Sequence, residues 1–197
     1  KVMPGDTVMV HHTTITPCQK EYLLAFHKPA GIVCTTSKID KNNVIDYLKF
    51  PERIYPVGRL DKESTGLLLL TNNGQLMDDV LRGSNYHEKE YIVHVNKPIT
   101  DSVLQAMAQG VPILDTITRP CKIRRMGKDC FYITLTQGLN RQIRRMCEYF
   151  DYRVTSLKRI RIMNIELGSL PVGKWRELTP SEIKTLKNLA QNKGEAE

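Results

Sequence analysis

Asp61 lies in the segment Gly58-Arg59-Leu60-Asp61-Lys62-Glu63-Ser64-Thr65-Gly66, between two cationic neighbours, Arg59 and Lys62. A carboxylate in such surroundings can serve as a general base or a nucleophile. An aspartate in a polar loop is more commonly a turn former or a helix cap, because its oxygens accept from nearby backbone N–H groups. The segment by itself therefore allows chemistry without requiring it. A second set of charges is Arg141, Arg144 and Arg145, spaced i, i+3 and i+4, which gathers them on one side of a helix. Positive charge in a helix's first turns opposes the macrodipole, at a cost of about 0.3–1 kcal/mol each nearest the end. An anion is expected beside them, and the candidates are the Asp61 carboxylate and the phosphates of a ligand, both of which suit a guanidinium fork.

Other reactive residue types carry no comparable pattern. Cys18, Cys34, Cys121, Cys130 and Cys147 are scattered without CxxC spacing, and the five histidines lack ligand spacing beyond the adjacent His11-His12. Neither a disulfide framework nor a zinc site is indicated, and no metal is assigned. Reduced thiols in the cytoplasm are the simplest reading.

The elements that must position Asp61 follow from periodicity. Leu67-Leu68-Leu69-Leu70, closed by Thr71-Asn72-Asn73-Gly74, reads as a buried strand, so the charged segment before it is a loop on a rigid base. Strands are also expected at 22–26, 54–57, 89–95, 121–125, 130–136 and within 152–167, with a hairpin-like unit joining 22–26 to 32–36 through Lys28-Pro29-Ala30-Gly31. In 89–95 the alternation puts Tyr91, Val93 and Val95 on one face, where Tyr91 alone would be read as a core aromatic. Helices are expected at 44–50, 74–81, 100–109 with Thr100 as cap, 141–150 with Asn140 as cap, and from Pro180 to about residue 189. Residues 111–114 read as a connector, and Trp175 as packing.

Composition bounds the class. The chain has 197 residues, 41% hydrophobic and 25% charged, in the range of one globular core with a small appendage. No apolar run approaches the roughly 18 residues of a membrane span, and no apolar leader opens the chain. The net charge of +8 is concentrated: residues 119–161 carry twelve Lys/Arg against three acids, leaving the remainder near neutral. A localised positive field attracts a polyanion, and nucleic acid is the natural partner.

Gly58-Arg59-Leu60-Asp61, continued by Thr65-Gly66-Leu67-Leu68-Leu69-Leu70-Thr71-Asn72, resembles the signature of the RsuA-type pseudouridine synthases. The upstream His27-Lys28-Pro29-Ala30-Gly31, the downstream Lys89-Glu90-Tyr91 and the later Asn140-Arg141-Gln142-Ile143-Arg144-Arg145-Met146 agree with it in order, so the resemblance covers about residues 22–178. One departure is Leu139, where the family more often has a basic residue. Gln137-Gly138-Leu139-Asn140, Gly110-Val111-Pro112-Ile113-Leu114 and Arg161-Ile162-Met163-Asn164 are most similar to the branch that modifies large-subunit ribosomal RNA.

The resemblance implies an α+β fold with a mixed, mainly antiparallel sheet and flanking helices. Residues 22–190 would form the catalytic domain, 1–12 the tail of an S4-like RNA-binding domain whose remainder lies outside this sequence, 13–21 a linker and 191–197 a fraying tail. The implied activity is isomerisation of a uridine to pseudouridine without cofactor or metal, by a monomer in the cytoplasm. The implied substrate is a stem-loop of 23S ribosomal RNA, with a tRNA anticodon uridine as a second. Asp61 would attack C1′ or remove the 2′ proton, and both remain open. The family motifs place Arg144 beside Asp61, Tyr91 beneath the target base and Leu157 near its ring. Arg59, Lys89, Arg141 and Arg145 would contact the RNA, the last two through phosphates or structural carboxylates. A fold retained by a non-catalytic, RNA-binding ribosome assembly factor is the competing reading. Pseudouridine formation that depends on Asp61 separates the two.

Overall fold

The Leu67–Leu70 run is continuous rather than alternating because its strand is covered on both faces. In the computed structural model, which describes residues 6–15, 20–37, 39–81 and 86–191, Leu67 to Leu70 are all fully buried. Burying each leucine contributes roughly 1.5–3 kcal/mol, which makes this strand a fixed base for the loop that precedes it.

In chain order the elements are β1 (Val8–Val10), β2 (Thr13–Ile15), β3 (Leu23–Lys28), α1 (Val44–Leu48), β4 (Tyr55–Val57), β5 (Thr65–Thr71), α2 (Gly74–Leu81), β6 (Lys89–Val95) and α3 (Asp101–Gln109). They continue with β7 (Pro112–Ile113), β8 (Thr116–Ile117), β9 (Lys122–Arg125), β10 (Cys130–Leu135), α4 (Gln142–Tyr149), β11 (Val154–Ile162), β12 (Ile165–Glu166), β13 (Trp175–Glu177) and α5 (Pro180–Gln191). The principal sheet runs β13-β3-β5-β11-β6-β10-β9, with β4 added beside β5 and β12 beside β11. Of its pairings only β5 with β11 is parallel, so the sheet is mixed and mainly antiparallel, as expected.

Three apolar clusters build on this sheet. Leu67 and Leu69 face α2 and α5 through Leu76, Val80 and Leu186. Leu68 and Leu70 face the other way, onto Val44 of α1, Ile54 and Leu60. Val93, Phe131, Ile133 and Leu157 pack with Met107 of α3 and Met146 of α4. Tyr91 touches the second and third of these clusters, so it stands where the two halves of the sheet meet. Among the described residues no helix is long and apolar enough to cross a membrane.

Four expectations need correction. Residues 32–36 do not pair with β3, whose neighbours are β5 and β13; Val33 forms only an isolated parallel bridge to Asn43. Thr13–Ile15, read as linker, pairs antiparallel with β1. The connector at 111–114 belongs to a small hairpin, β7 with β8, turned by Leu114 and Asp115 at φ 49° and 57°. Two consecutive positive φ values are the mark of a type I′ turn, which a leucine disguises in sequence. Asn140 does not cap α4: Arg141 holds the cap position at φ 50° without a side-chain cap bond, and the Gln142 side chain accepts instead from the Leu139 N–H at 3.1 Å. Pro4-Gly5, Cys18 and 192–197 lie outside the described residues, while Gln191 still belongs to α5.

The last helix is locked on by a reciprocal cap. Thr179 Oγ1 accepts from the Glu182 N–H at 3.2 Å, and Glu182 Oε2 accepts from the Thr179 N–H at 2.8 Å. Arg176 adds two bonds to the same carboxylate at 2.7 and 2.8 Å. These Arg176 bonds, opposed by burial and aided by Thr179, pull the Glu182 carboxyl from 4.5 down to about 2. A folded value below the unfolded one means stability that is complete above about pH 4.5 and fades as pH falls toward 2. Glu182→Gln should cost about 1–2 kcal/mol at pH 7, with the difference from wild type vanishing near pH 2, as read by denaturant unfolding at both pH values.

Candidate active site

The loop between β4 and β5 is held from below by groups that bond its backbone. Leu60, 8% exposed, anchors in the α1-side cluster, and its N–H donates to Cys34 Sγ at 3.4 Å. Lys28 is fully buried, and its ammonium donates to the carbonyls of Pro29, Lys62 and Ser64 at 2.9, 3.2 and 2.8 Å. Burial presses the Lys28 ammonium below its ordinary pKa, while Cys34, Glu63 and Asp61 pull it back. Arg159, 3% exposed, donates through Nε to the Leu67 carbonyl at 2.7 Å and through Nη1 to the Arg59 carbonyl at 3.5 Å. Two buried cations thus grip the loop by its carbonyls, and the Asp61 side chain is left out of this scaffold.

Gly66, the second residue of β5, lies just after the loop where β5 meets β11 in parallel, opposite Arg159. Its φ is +106°, and a Cβ there would overlap the Arg159 carbonyl oxygen and lie 2.6 Å from the Arg159 nitrogen. Only glycine allows this strand approach.

Opposite the loop, α4 brings its arginines to the carboxylate. Arg144 Nε lies 3.4 Å from Asp61 Oδ2, its Nη2 donates to Ser64 Oγ at 3.3 Å and its Nη1 to the Val154 carbonyl at 3.4 Å. Arg141 Nη1 lies 3.7 Å from both Asp61 Oδ2 and Glu63 Oε2. The Arg144 side chain is 11% exposed and Asp61 29%, so the pair is screened less than a surface bridge. At these lengths the contacts are ion pairs rather than the 2.7–2.9 Å bonds of a closed guanidinium–carboxylate fork. The nearest contact of each arginine falls on Oδ2.

The floor is one face of β6 and β11. Their register pairs Leu157 with Val93 and Arg159 with Tyr91, and then breaks, so that Arg161 pairs with Glu90 and Ile162 with Lys89. The bulge at Ile160 separates Arg159 from Arg161: the first joins Tyr91, while the second bonds Glu88 and Glu90 at 2.9 and 3.0 Å. Asp61, Arg59, Tyr91, Lys89, Leu157, Arg159 and Arg141 all line a cleft of about 1090 Å³. That volume accommodates a nucleotide-sized ligand.

The sequence-derived site residues therefore assemble with one exception. Arg145 bonds the Asn140 carbonyl and side chain at 3.1 and 3.2 Å, rather than a carboxylate, and it is not part of the cleft wall. The basic stretch is also less free than its count suggests, because Arg125, Lys122 and Arg161 are tied to Asp101, Glu88 and Glu90. Lys28 and Arg159 are site residues that the sequence reading does not reach. Their sequence signal is slight, since a buried cation bonded to carbonyls leaves no pattern beyond Lys28 within the His27–Gly31 motif and Arg159 two places after Leu157. As to metals, the possible ligand atoms of His94, Asp129 and Cys130 lie within 4.8 Å of one another, on residues that do not line the cleft.

Comparison with known proteins gives these residues a context. The family described as RNA pseudouridylate synthase matches residues 22–149. A relative from Escherichia coli, the dual-specificity RNA pseudouridine synthase RluF, is 50% identical over 194 residues, covering 98% of this chain and 67% of that protein. The ribosomal large subunit pseudouridine synthase B of Bacillus subtilis is 33% identical over 201 residues, covering 98% of this chain and 82% of that one. Among solved structures, a crystal structure of a pseudouridylate synthase superposes with a TM-score of 0.79 at 28% identity, over 94% of this chain and 82% of that one. The close approach at the base of the loop provides the sharpest structural test. Gly66→Ala should lower stability by more than about 2 kcal/mol, read as a reduced denaturation midpoint with unchanged slope.

Proposed function

The chain belongs to the RNA pseudouridylate synthase family, and we propose that it isomerises a specific uridine to pseudouridine with Asp61 as the group that starts the reaction. The observation that carries this reading is the Asp61 carboxylate, held by Arg144 at 3.4 Å in a cleft that also presents Tyr91 and Leu157. The substrate and product are isomers, so no redox partner or transferred group is needed. The N1–C1′ bond breaks, the uracil turns while held, C5 bonds C1′, and the C5 proton is lost while N1 takes one up from solvent, so the atoms balance.

Each residue has a part in that sequence. The Asp61 carboxylate either attacks C1′, forming an ester that the turned uracil displaces, or removes the 2′ proton, forming a glycal to which the uracil returns as the proton is given back to C2′. Arg144, engaged on Oδ2, keeps the carboxylate oriented and compensates its charge in a partly desolvated position. Tyr91 offers a ring face to a base taken out of its stack, and Leu157 an apolar wall. Arg59 and Arg141, both exposed at the cleft, reach for the strand that carries the target.

The RNA we assign is a stem-loop of 23S ribosomal RNA, with a tRNA anticodon uridine as the second substrate, on the strength of the dual-specificity and large-subunit relatives. By the same family resemblance we read the protein as a monomer acting in the cytoplasm, where these RNAs are found. Following the same family resemblance, we read the β1–β2 hairpin as the tail of an S4-like module preceding the catalytic domain.

Asp61→Asn should bind RNA within about twofold of wild type and yield no detectable pseudouridine, because the amide keeps the shape and loses the anion. Pseudouridine mapping in total ribosomal and transfer RNA, with and without each protein, measures this. Equal modification by the two proteins would reject the assignment.

A further inference from the structure

Lys89 is a cation that the protein leaves unneutralised in the cleft. The carboxylates flanking it, Glu88 and Glu90, are both consumed: Glu88 by Lys122 and Arg161 at 2.9 Å each, and Glu90 by Arg161 at 3.0 Å. Strand alternation turns Lys89 and Tyr91 to the cleft face while Glu90 points away with Arg161. The Lys89 ammonium donates to a carbonyl, that of His87, at 3.2 Å. This uses one of its three donors.

A second positive charge stands behind it. Arg159 shares the cleft-facing side of β11, is 3% exposed, and is bonded to two carbonyls rather than to any carboxylate. One guanidinium nitrogen, Nη2, is buried without a hydrogen bond. Two cations brought together in a partly dry place repel each other, and the ammonium is the softer of the two because it can lose its proton. Burial, reinforced by Arg159, accordingly pushes the Lys89 pKa from 10.5 down to about 8. A fixed anion between Lys89 and the solvent would reverse that penalty.

We propose that Lys89, backed by the buried charge of Arg159, forms the seat for a phosphate group of the nucleotide bound in the cleft. Lys89 makes the contact, and Arg159 acts from behind as a fixed field that also positions the loop through the Arg59 carbonyl. The inference rests on the RNA-modifying reading of the same cleft and goes beyond it by assigning the phosphate to Lys89 and giving Arg159 a part. The groups that face Lys89 are few. Arg159 comes from β11, His87 and Tyr91 from the same stretch of chain, and Arg59, Asp61 and Arg141 line the opposite side of the cleft. The residues paired with Lys89 in the sheet, Leu135 and Ile162, are apolar.

The seat should hold anions only while Lys89 carries its proton, so affinity should fall as pH rises through the free-state value near 8. The probes are uridine 5′-monophosphate, uridine 3′-monophosphate and uridine, titrated into the whole protein while the Lys89 side-chain NMR signal is followed. Wild type should bind at least one monophosphate about tenfold more weakly at pH 9 than at pH 7, with the Lys89 pKa moving up on binding. Lys89→Arg, which keeps its charge, should show a flat profile over the same range, and Lys89→Met should bind that monophosphate at least about fivefold more weakly at pH 7. Uridine should not distinguish the variants. A wild-type profile that parallels Lys89→Arg, or a Lys89→Met protein that binds both monophosphates as wild type does, would overturn the proposal. These readouts need no turnover, so their failure is separable from a failure to form pseudouridine.

Discussion

The contact between Asp61 and Arg144 joins two parts of the molecule that have separate cores. Asp61 rises from a loop fixed to the leucine strand and its α1-side cluster, while Arg144 projects from α4, which packs on β6, β10 and β11. The position of one charge relative to the other is therefore set by the whole sheet, through the parallel pairing of β5 with β11 at Gly66 and Arg159. A half-buried ion pair of this kind adds little net stability, because desolvation offsets most of the attraction. Its value is geometric: it fixes where a carboxylate oxygen points in a cleft wide enough for a nucleotide.

The surrounding structure spends stability on that geometry. Lys28 and Arg159 are buried cations whose bonds go to carbonyls, Arg141 sits at a left-handed backbone angle without a cap, and Arg144 Nε is buried with an ion pair but no well-formed hydrogen bond. Each is unfavourable by itself, and together they gather positive charge around one face of a cleft. Such concentrations of strain and unsatisfied charge mark functional sites. Here they share a direction, since Arg141 and Arg159 line the cleft and Arg144 is paired with the carboxylate that faces it.

Much of this was legible in the residues. The apolar run at Leu67–Leu70, the helix Gly74–Leu81, the strand Lys89–Val95 and the Thr100-capped α3 follow from periodicity and caps, and the structure has them at those places. Asp61, Arg144, Tyr91 and Leu157 converge because the motifs that contain them end or begin strongly patterned elements. What could not be read depends on partners distant in sequence. Residues 32–36 look like a returning strand, yet β5 and β13 already occupy both edges of β3. Asn140 looks like a cap, but Gln142 satisfies the backbone there and Arg145 ties up the Asn140 side chain. The bulge at Ile160 leaves no trace in an alternating pattern, though it decides that Arg159 faces the cleft and Arg161 does not.

The most direct measurement of the Asp61–Arg144 partnership is the single-turnover rate of pseudouridine formation by Arg144→Lys at saturating RNA. A lysine keeps the charge but not the planar fork that reaches Asp61 Oδ2, Ser64 Oγ and the Val154 carbonyl together. The expected result is a rate reduced by about a hundredfold or more with RNA affinity and fold intact, the mark of an orientation lost at the reacting group. A rate within about twofold of wild type would contradict the claim that this guanidinium aims the carboxylate.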